Sequence, residues 1–232
     1  MSITSESRYL FTMMRSLGAW IALVLRQPSA IRFLVPWLMS LYTRDPLSTR
    51  VPWIVYPAQE WLRRTLTQNM QTFEWGCGGS TLYFADRVAS HTAIEHERDW
   101  SLVVQAQLKR EGLSHAQVLL KPATRADGTV VNHFSNPKQY QDLSFADYIG
   151  AIDAYPDDSF DIIVIDGRAR RSCARHAFRK VRPGGSIILD NAERPEYEEI
   201  FTLYAPYTRQ EFWGPGPYNW YFWKTTIFTR PM

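Results

Sequence analysis

The sequence predicts an α/β fold: a doubly wound, mostly parallel seven-stranded sheet with an antiparallel C-terminal hairpin and an N-terminal helical extension. Three observations predict it. From Pro57 onward, short apolar or β-branched runs alternate with stretches of helical spacing, the pattern of a parallel sheet. A glycine-rich turn, Gly76-Cys77-Gly78-Gly79, stands between one such run and a helical stretch. The tail carries two aromatic, β-prone segments separated by Gly214-Pro215-Gly216-Pro217, which reads as a hairpin at the end of the sheet.

With 232 residues, 45% of them hydrophobic, the chain can bury one substantial core. We expect one domain over 51–232, preceded by a helical cap over 1–50. The 26 basic residues nearly balance 23 acidic ones, so no chain-wide electrostatic case for nucleic acid exists and none is expected as a partner. Cys77 and Cys173 are the only cysteines and lack metal-ligand spacing, which fits a reducing, cytoplasmic setting. Leu17–Leu25 is apolar and follows Arg8 and Arg15, yet it is too short to span a bilayer. Arg26 and Arg32 interrupt it from the next apolar run, 31–42, and Pro28-Ser29-Ala30 is a poor cleavage site, so a signal peptide is rejected. Residues 8–42 then read as a pocket cap, a homodimer surface, or a peripheral membrane contact anchored by Trp20, Phe33 and Trp37.

Pro57–Asn69 reads as a helix with proline in its first turn. Thr72–Trp75 is a strand leading into the glycines, Thr81–Ala89 a helix and His91–Glu95 a second strand. Arg98–Glu111 has helical spacing and stops at Gly112, a C-terminal cap. Gln117–Lys121 is a third strand. Pro122–Leu143 is polar and aperiodic, a long loop of the kind that carries function. Ser144 begins the next helix, with Asp147 in capping-box position. Phe160–Ile165 is apolar and β-branched, as a strand buried on both faces should be. Arg171–Val181 is a helix, and Pro183-Gly184-Gly185 turns the chain into a fifth strand, Ser186–Leu189. The hairpin strands lie near Gln210–Trp213 and Trp223–Thr229.

The segment Glu74-Trp75-Gly76-Cys77-Gly78-Gly79-Ser80 joins a strand directly to a helix, which presents backbone N–H groups and a surface without side chains to a ligand. Glu95 closes the next strand, where a carboxylate can accept both hydroxyls of a ribose, and His96 follows it beside the adenosine position. An acidic residue opening a Gly-x-Gly-Gly turn, here Glu74 with Gly76, Gly78 and Gly79, resembles motif I of the class I S-adenosylmethionine-dependent methyltransferases. The resemblance implies that Glu74, Gly76, Cys77, Gly78, Gly79 and Ser80 face the methionine part of S-adenosylmethionine and that Glu95 holds its ribose. Asp166-Gly167-Arg168 and Pro183-Gly184-Gly185 extend the likeness to roughly Val51–Pro231. A nicotinamide-binding domain uses the same physics, but Thr81 fills its usual third glycine position and no second half-domain follows.

Asp166 closes the fourth strand and Asp190-Asn191 the fifth, so all three emerge at the edge where ligands bind in open α/β sheets. Their oxygens make a hard set suited to Mg²⁺ or Mn²⁺, and this resembles the cation-dependent O-methyltransferases; Asp166 also stands beside the donor. Arg168 and Arg170 are expected to bind a carboxylate or phosphate on the substrate. Asp166 and His133 are the candidate catalytic groups, with His176 a further possible base. Trp213 and Tyr218–Trp223 offer an aromatic pocket wall. The expected reaction is O-methylation of a small-molecule or glycan-type acceptor. N- or carboxyl-methylation, aminopropyl transfer on the same fold, and a non-catalytic membrane-peripheral nucleoside-binding protein are the alternatives.

Overall fold

The computed structural model describes residues 5–43, 45–125 and 143–232, with side chains from Met14 onward. The chain opens with α1 (Ser5–Arg26), a 3-10 turn over Pro28–Phe33 and α2 (Leu34–Thr43). A one-turn α3 (Pro46–Thr49) follows, capped by Asp45, whose carboxylate accepts from Leu47 N and Ser48 N. Next comes α4 (Tyr56–Thr65), with Pro57 in its first turn as expected but ending four residues before Asn69.

The alternating part then runs β1 (Gln71–Trp75), α5 (Gly79–Ala85), β2 (Ser90–Glu95), α6 (Arg98–Arg110) and β3 (Ala116–Leu120). Two short pieces, β4 (Thr124–Arg125) and β5 (Leu143–Ser144), pair antiparallel at the feet of the predicted long loop. They precede α7 (Ala146–Ile149), β6 (Phe160–Ile165), α8 (Arg170–Ala177) and β7 (Val181–Asp190). The chain ends with α9 (Glu198–Leu203), β8 (Thr208–Gly214) and β9 (Trp223–Thr229).

Seven strands form one sheet in the order β3-β2-β1-β6-β7-β9-β8. The first five lie parallel, and β9 joins β7 and β8 antiparallel. This is the predicted doubly wound sheet with its hairpin. Strand alternation sends Phe73, Trp75, Ile163, Ile165, Ile187 and Leu189 to one face, where they pack with Ile149, Cys173, Ala174 and Ile200 of the helices α7 to α9. Ile162, Val164 and Ile188 go to the other face, against Ala58 and Leu62 of α4 and Tyr83 and Phe84 of α5. Burial on both faces explains why β6 reads as an unbroken apolar run.

Several boundaries move. Arg171–Val181 is not one helix: α8 stops at Ala177, and Val181 already pairs with Phe160 as the first residue of β7. Pro183-Gly184-Gly185 sits inside β7 as an irregularity, because Phe160 pairs with Val181 while Ile162 pairs with Ser186. Ser144 pairs in β5 rather than opening a helix with a capping box; its Oγ accepts only from Ala146 N, at 3.3 Å. Helix α5 starts two residues earlier than expected, since the Gly78 N–H is satisfied by Thr81 Oγ1 at 2.9 Å. Gly112 does cap α6, with φ of +69°.

The start of α5 lies under the extension. A Cβ added at Gly79 would meet the Pro46 carbonyl oxygen and lie 3.0 Å from that of Val51. Gly79→Ala is therefore expected to lower stability by about 1–3 kcal/mol through forced displacement of that backbone, read as a fall in the urea midpoint with an unchanged slope.

Candidate donor and acceptor site

Because β1, β2, β6 and β7 run parallel, their carboxyl ends share one edge, and a cleft of about 380 Å³ opens there. Gly76 and Cys77 border it from the first turn, Glu95 and His96 from the end of β2, Asp166 to Arg168 and Arg170 from the end of β6, and Asp190 and Asn191 from the end of β7. The turn is tight. Gly76 has φ of +97°, and a Cβ there would stand 3.4 Å from Gly167 N and Cα. Gly167 is equally constrained, since its own Cβ would collide with the Tyr148 hydroxyl. Two glycines thus leave bare backbone facing the cleft.

Glu95 is 4% exposed. Its Oε2 accepts from Cys77 N at 3.1 Å, and its Oε1 accepts from His96 N at 2.7 Å and Glu97 N at 2.9 Å. Burial alone pushes this carboxyl up, but His96 and those N–H groups outweigh it and hold it below the ordinary range. The result is an ionised acceptor, pinned to the glycine turn, at the place expected for a ribose. The His96 ring lies 2.7 Å from Glu95 Oε1 and packs near Phe145 and Tyr148. Burial pushes the Cys77 thiol far up, so it stays protonated.

Glu74, Gly78, Gly79 and Ser80 do not border the cleft. Trp75 takes the α7–α9 face, so its neighbour Glu74 faces the opposite way. There its Oε1 accepts from Thr81 Oγ1 and lies 3.1 Å from His91 Nε2, in a fully buried cluster. Gly78 underlies the Trp100 ring, whose Nε1 donates to Cys77 O at 2.7 Å. These residues shape the turn from behind.

Asp166, Asp190 and Asn191 do converge, but the expected cation position is already taken by Arg170. Its guanidinium donates to Asp166 Oδ1 at 2.9 Å and Asp166 O at 2.7 Å, and to Asp190 O at 2.5 Å and Asn191 Oδ1 at 3.2 Å. Asn191 Oδ1 also accepts from Arg194 at 2.9 Å. Asp190 Oδ1 accepts from Trp223 Nε1 at 2.8 Å and Thr225 Oγ1 at 2.6 Å. With the Arg170 guanidinium held on Asp166 Oδ1 and Asn191 Oδ1, the set does not fit Mg²⁺ or Mn²⁺ as it stands, and among the described residues no group of three His, Cys, Asp or Glu side chains is placed to hold an ion. The sequence-level metal triad and the role of Arg170 as a substrate ligand are both corrected: Arg170 is 9% exposed and its N–H groups are spent on the strand ends.

Deep placement raises the Asp166 carboxyl to about 8; Arg170 opposes that rise, while Asp190 and Glu74 add to it. The side chain is still 32% open, on the cleft side. Burial likewise raises Asp190, though less, because Arg170, Thr225 and Trp223 hold its charge. Arg168 borders the cleft beside them, its N–H 3.4 Å from the Tyr148 hydroxyl. His133 lies outside the described residues. His176 contacts Asp153 at 2.7 Å and does not border the cleft.

The remaining wall comes from residues distant in sequence. Trp53, Tyr148, Asn219, Tyr221 and Trp223 border the cleft. Tyr221 and Trp223 belong to the aromatic tail expected to do so, whereas Trp213 is exposed on β8 and Tyr218 stacks edge-on against Trp53 at 5.2 Å. Tyr148 and Trp53 carried no motif. What marks Tyr148 is that its hydroxyl occupies the place a Cβ at Gly167 would take, a contact made only on folding.

Solved structures share this fold. A methyltransferase-like protein from Silicibacter pomeroyi matches 79% of this chain and 90% of its own, at 20% identity and a TM-score of 0.53. A Streptococcus mutans protein solved in complex with SAH matches over 75% and 96%, at 9% identity and 0.52. A SAM-dependent O-methyltransferase from Thermotoga maritima matches over 78% and 68%, at 11% identity and 0.51. The chain has the class I methyltransferase fold. No protein-family profile matches the sequence, and no curated protein is a significant match to it. The cleft occupies the carboxyl edge of this fold, and of the residues expected to hold the donor it is bordered by Gly76, Cys77, Glu95, His96 and Asp166.

The Arg170 network has a measurable consequence. Arg170→Met leaves Asp166 and Asp190 without their cation and is expected to cost about 3–5 kcal/mol by chemical denaturation. A carboxyl whose folded pKa exceeds its ordinary value, here about 8 against 3.8, holds its proton more tightly when folded. Stability then falls as pH rises between those values. Without Arg170 the carboxyls rise further, so the deficit of the variant should be larger at pH 8 than at pH 5.

Proposed function

We propose that the protein is an S-adenosylmethionine-dependent methyltransferase that methylates an oxygen of a small-molecule or glycan-type acceptor without a divalent metal. The observation that carries the reading is the pairing of an ionised Glu95, tied to a glycine turn, with a high-pKa Asp166 across one cleft of the methyltransferase fold. The residues fit the donor: bare backbone at Gly76 and Gly167 allows close approach, Glu95 accepts hydroxyls, and His96 flanks the base position. When bound, the donor supplies an electrophilic methyl group on sulfur.

The chain's own groups do the rest. Gly76 and Cys77 position the donor, and Asp166, with Asp190 behind it, favours a cation nearby over a neutral group. Asp166 is also the group placed to accept the proton of the acceptor hydroxyl, since a carboxyl titrating near neutrality is an effective base there. Arg170 keeps its charge balanced and its position set. Trp53, Tyr221 and Trp223 wall the acceptor side, and Arg168, which borders the cleft, is placed to meet an acidic group on the acceptor. With the metal position taken by Arg170, hydroxyl activation falls to Asp166 alone.

Calorimetric titration tests the reading. S-adenosylmethionine should bind the purified protein, and Glu95→Ala should weaken it by about 2 kcal/mol, roughly thirtyfold, through lost charge-assisted hydrogen bonds. Absence of binding by folded protein would overturn the assignment.

A pH series supplies an independent check. A sulfonium near Asp166 favours the ionised carboxylate, so S-adenosylmethionine should bind more tightly as pH rises from 6 to 8. S-adenosylhomocysteine, a neutral thioether, should show little change, and Asp166→Asn should flatten the difference. Equal pH dependence for both ligands would place the sulfonium away from Asp166.

A further inference from the structure

The two helices of the extension are only half covered. Trp20 and Trp37 turn inward, with ring centroids 5.4 Å apart, and pack against Phe222 and Trp220 of the β8–β9 connection. The other side of the same helices is apolar and open: Leu25 is 78% exposed, Val35 67%, Leu17 63% and Ile21 55%. Between α1 and α2 runs a groove of about 670 Å³ whose lining side chains are all aliphatic, Met or Trp. A patch of this kind on a folded surface calls for something to cover it.

Charge indicates what covers it. Residues 1–50 hold six arginines, Arg8, Arg15, Arg26, Arg32, Arg44 and Arg50, against Glu6 and Asp45, a formal +4. The remaining 182 residues hold 20 basic and 21 acidic groups, a formal −1. The chain's formal positive excess therefore lies in the segment that bears the apolar face, where Arg32 pairs with Glu60 and Arg50 with Asp86 and Glu111. Arg15 and Arg26 are both exposed on α1. Eleven residues apart, they stand about three turns from one another on the same side of the helix, roughly a third of a turn from the Leu17–Ile21–Leu25 stripe. No described helix is long and apolar enough to cross a membrane.

We propose that α1 and α2 dock on an anionic lipid membrane. The helices lie in the interface, with Leu17, Ile21, Leu25 and Leu38 in the acyl boundary and Arg15 and Arg26 at the level of the phosphates. A second copy of the chain fits this face less well, because a two-fold pairing would set Arg15 and Arg26 of one copy near those of the other. Docking also bears on the cleft. Ser16 Oγ donates to Trp220 O, and Trp37 Nε1 donates to Asn219 O at 2.8 Å. The docked helices thus hold the segment that contributes Asn219 and Tyr221 to the cleft wall.

Co-sedimentation of the full chain with vesicles tests this, using phosphatidylcholine alone and phosphatidylcholine with added phosphatidylglycerol. The protein should bind the anionic vesicles, bind the neutral ones weakly, and lose affinity as salt is raised. Leu17→Glu with Leu25→Glu should reduce binding at least about tenfold while leaving the circular dichroism spectrum unchanged, since both side chains are exposed. Arg15→Gln with Arg26→Gln should cost about tenfold on anionic vesicles and little on neutral ones. Folded wild-type protein that ignores both vesicle types overturns the proposal, and a concentration-dependent dimer in that sample would assign the face to a second copy. Full vesicle binding by the leucine variant would overturn it as well, because docking would then use another surface. None of these readouts depends on donor binding.

Discussion

Four parallel strands that end at one edge crowd carboxylate, amide and carbonyl oxygens into a small volume, and such a cluster is stable only with positive charge inside it. Arg170 provides that charge. Its planar fork reaches the side chain and carbonyl of Asp166, the carbonyl of Asp190 and the amide oxygen of Asn191 at once, which a lysine could not do. It therefore ties the ends of β6 and β7 together and forms the floor of the cleft. An acidic strand edge of this composition looks, in sequence, like the first shell of a metal site. One buried arginine turns it into an ion-pair network.

The cleft has two unlike halves. One half is built locally, by the turn after β1 and the residues after β2, and is held by backbone N–H groups donating to Glu95. The other half is assembled from Trp53, Tyr148, Asn219, Tyr221 and Trp223, which come from three separate parts of the chain. The first half is fixed by the turn, while the second is set by loops and by the extension packed behind them, the division that the proposed donor and acceptor would need.

Motif residues also divide by face. Glu74 is the acidic residue that opens the glycine turn, yet its carboxylate joins Thr81 and His91 under α5 and never reaches the cleft. Thr81, which breaks a dinucleotide-type glycine pattern, is what receives the Gly78 N–H and starts that helix. The substitution of threonine for a third glycine is thus part of how this turn folds rather than a loss of function.

The amino-acid sequence by itself determined the sheet. The two-residue alternation of β1 and the apolar run of β6 depend on neighbours a few positions away, as do the Gly76–Gly79 turn and the Gly112 cap, so these elements and the placement of Glu95 and Asp166 at strand ends were legible. The boundaries of α8 and β7 were less so, because Val181 belongs to a strand only by pairing with Phe160. The occupant of the acidic edge, the orientation of Glu74 and the entry of Tyr148 and Trp53 into the cleft were decided by the tertiary structure. Each depends on contacts between different elements, such as Arg170 with Asn191 and Glu74 with His91, and no local period or motif records which of two possible partners a side chain meets once the layers close.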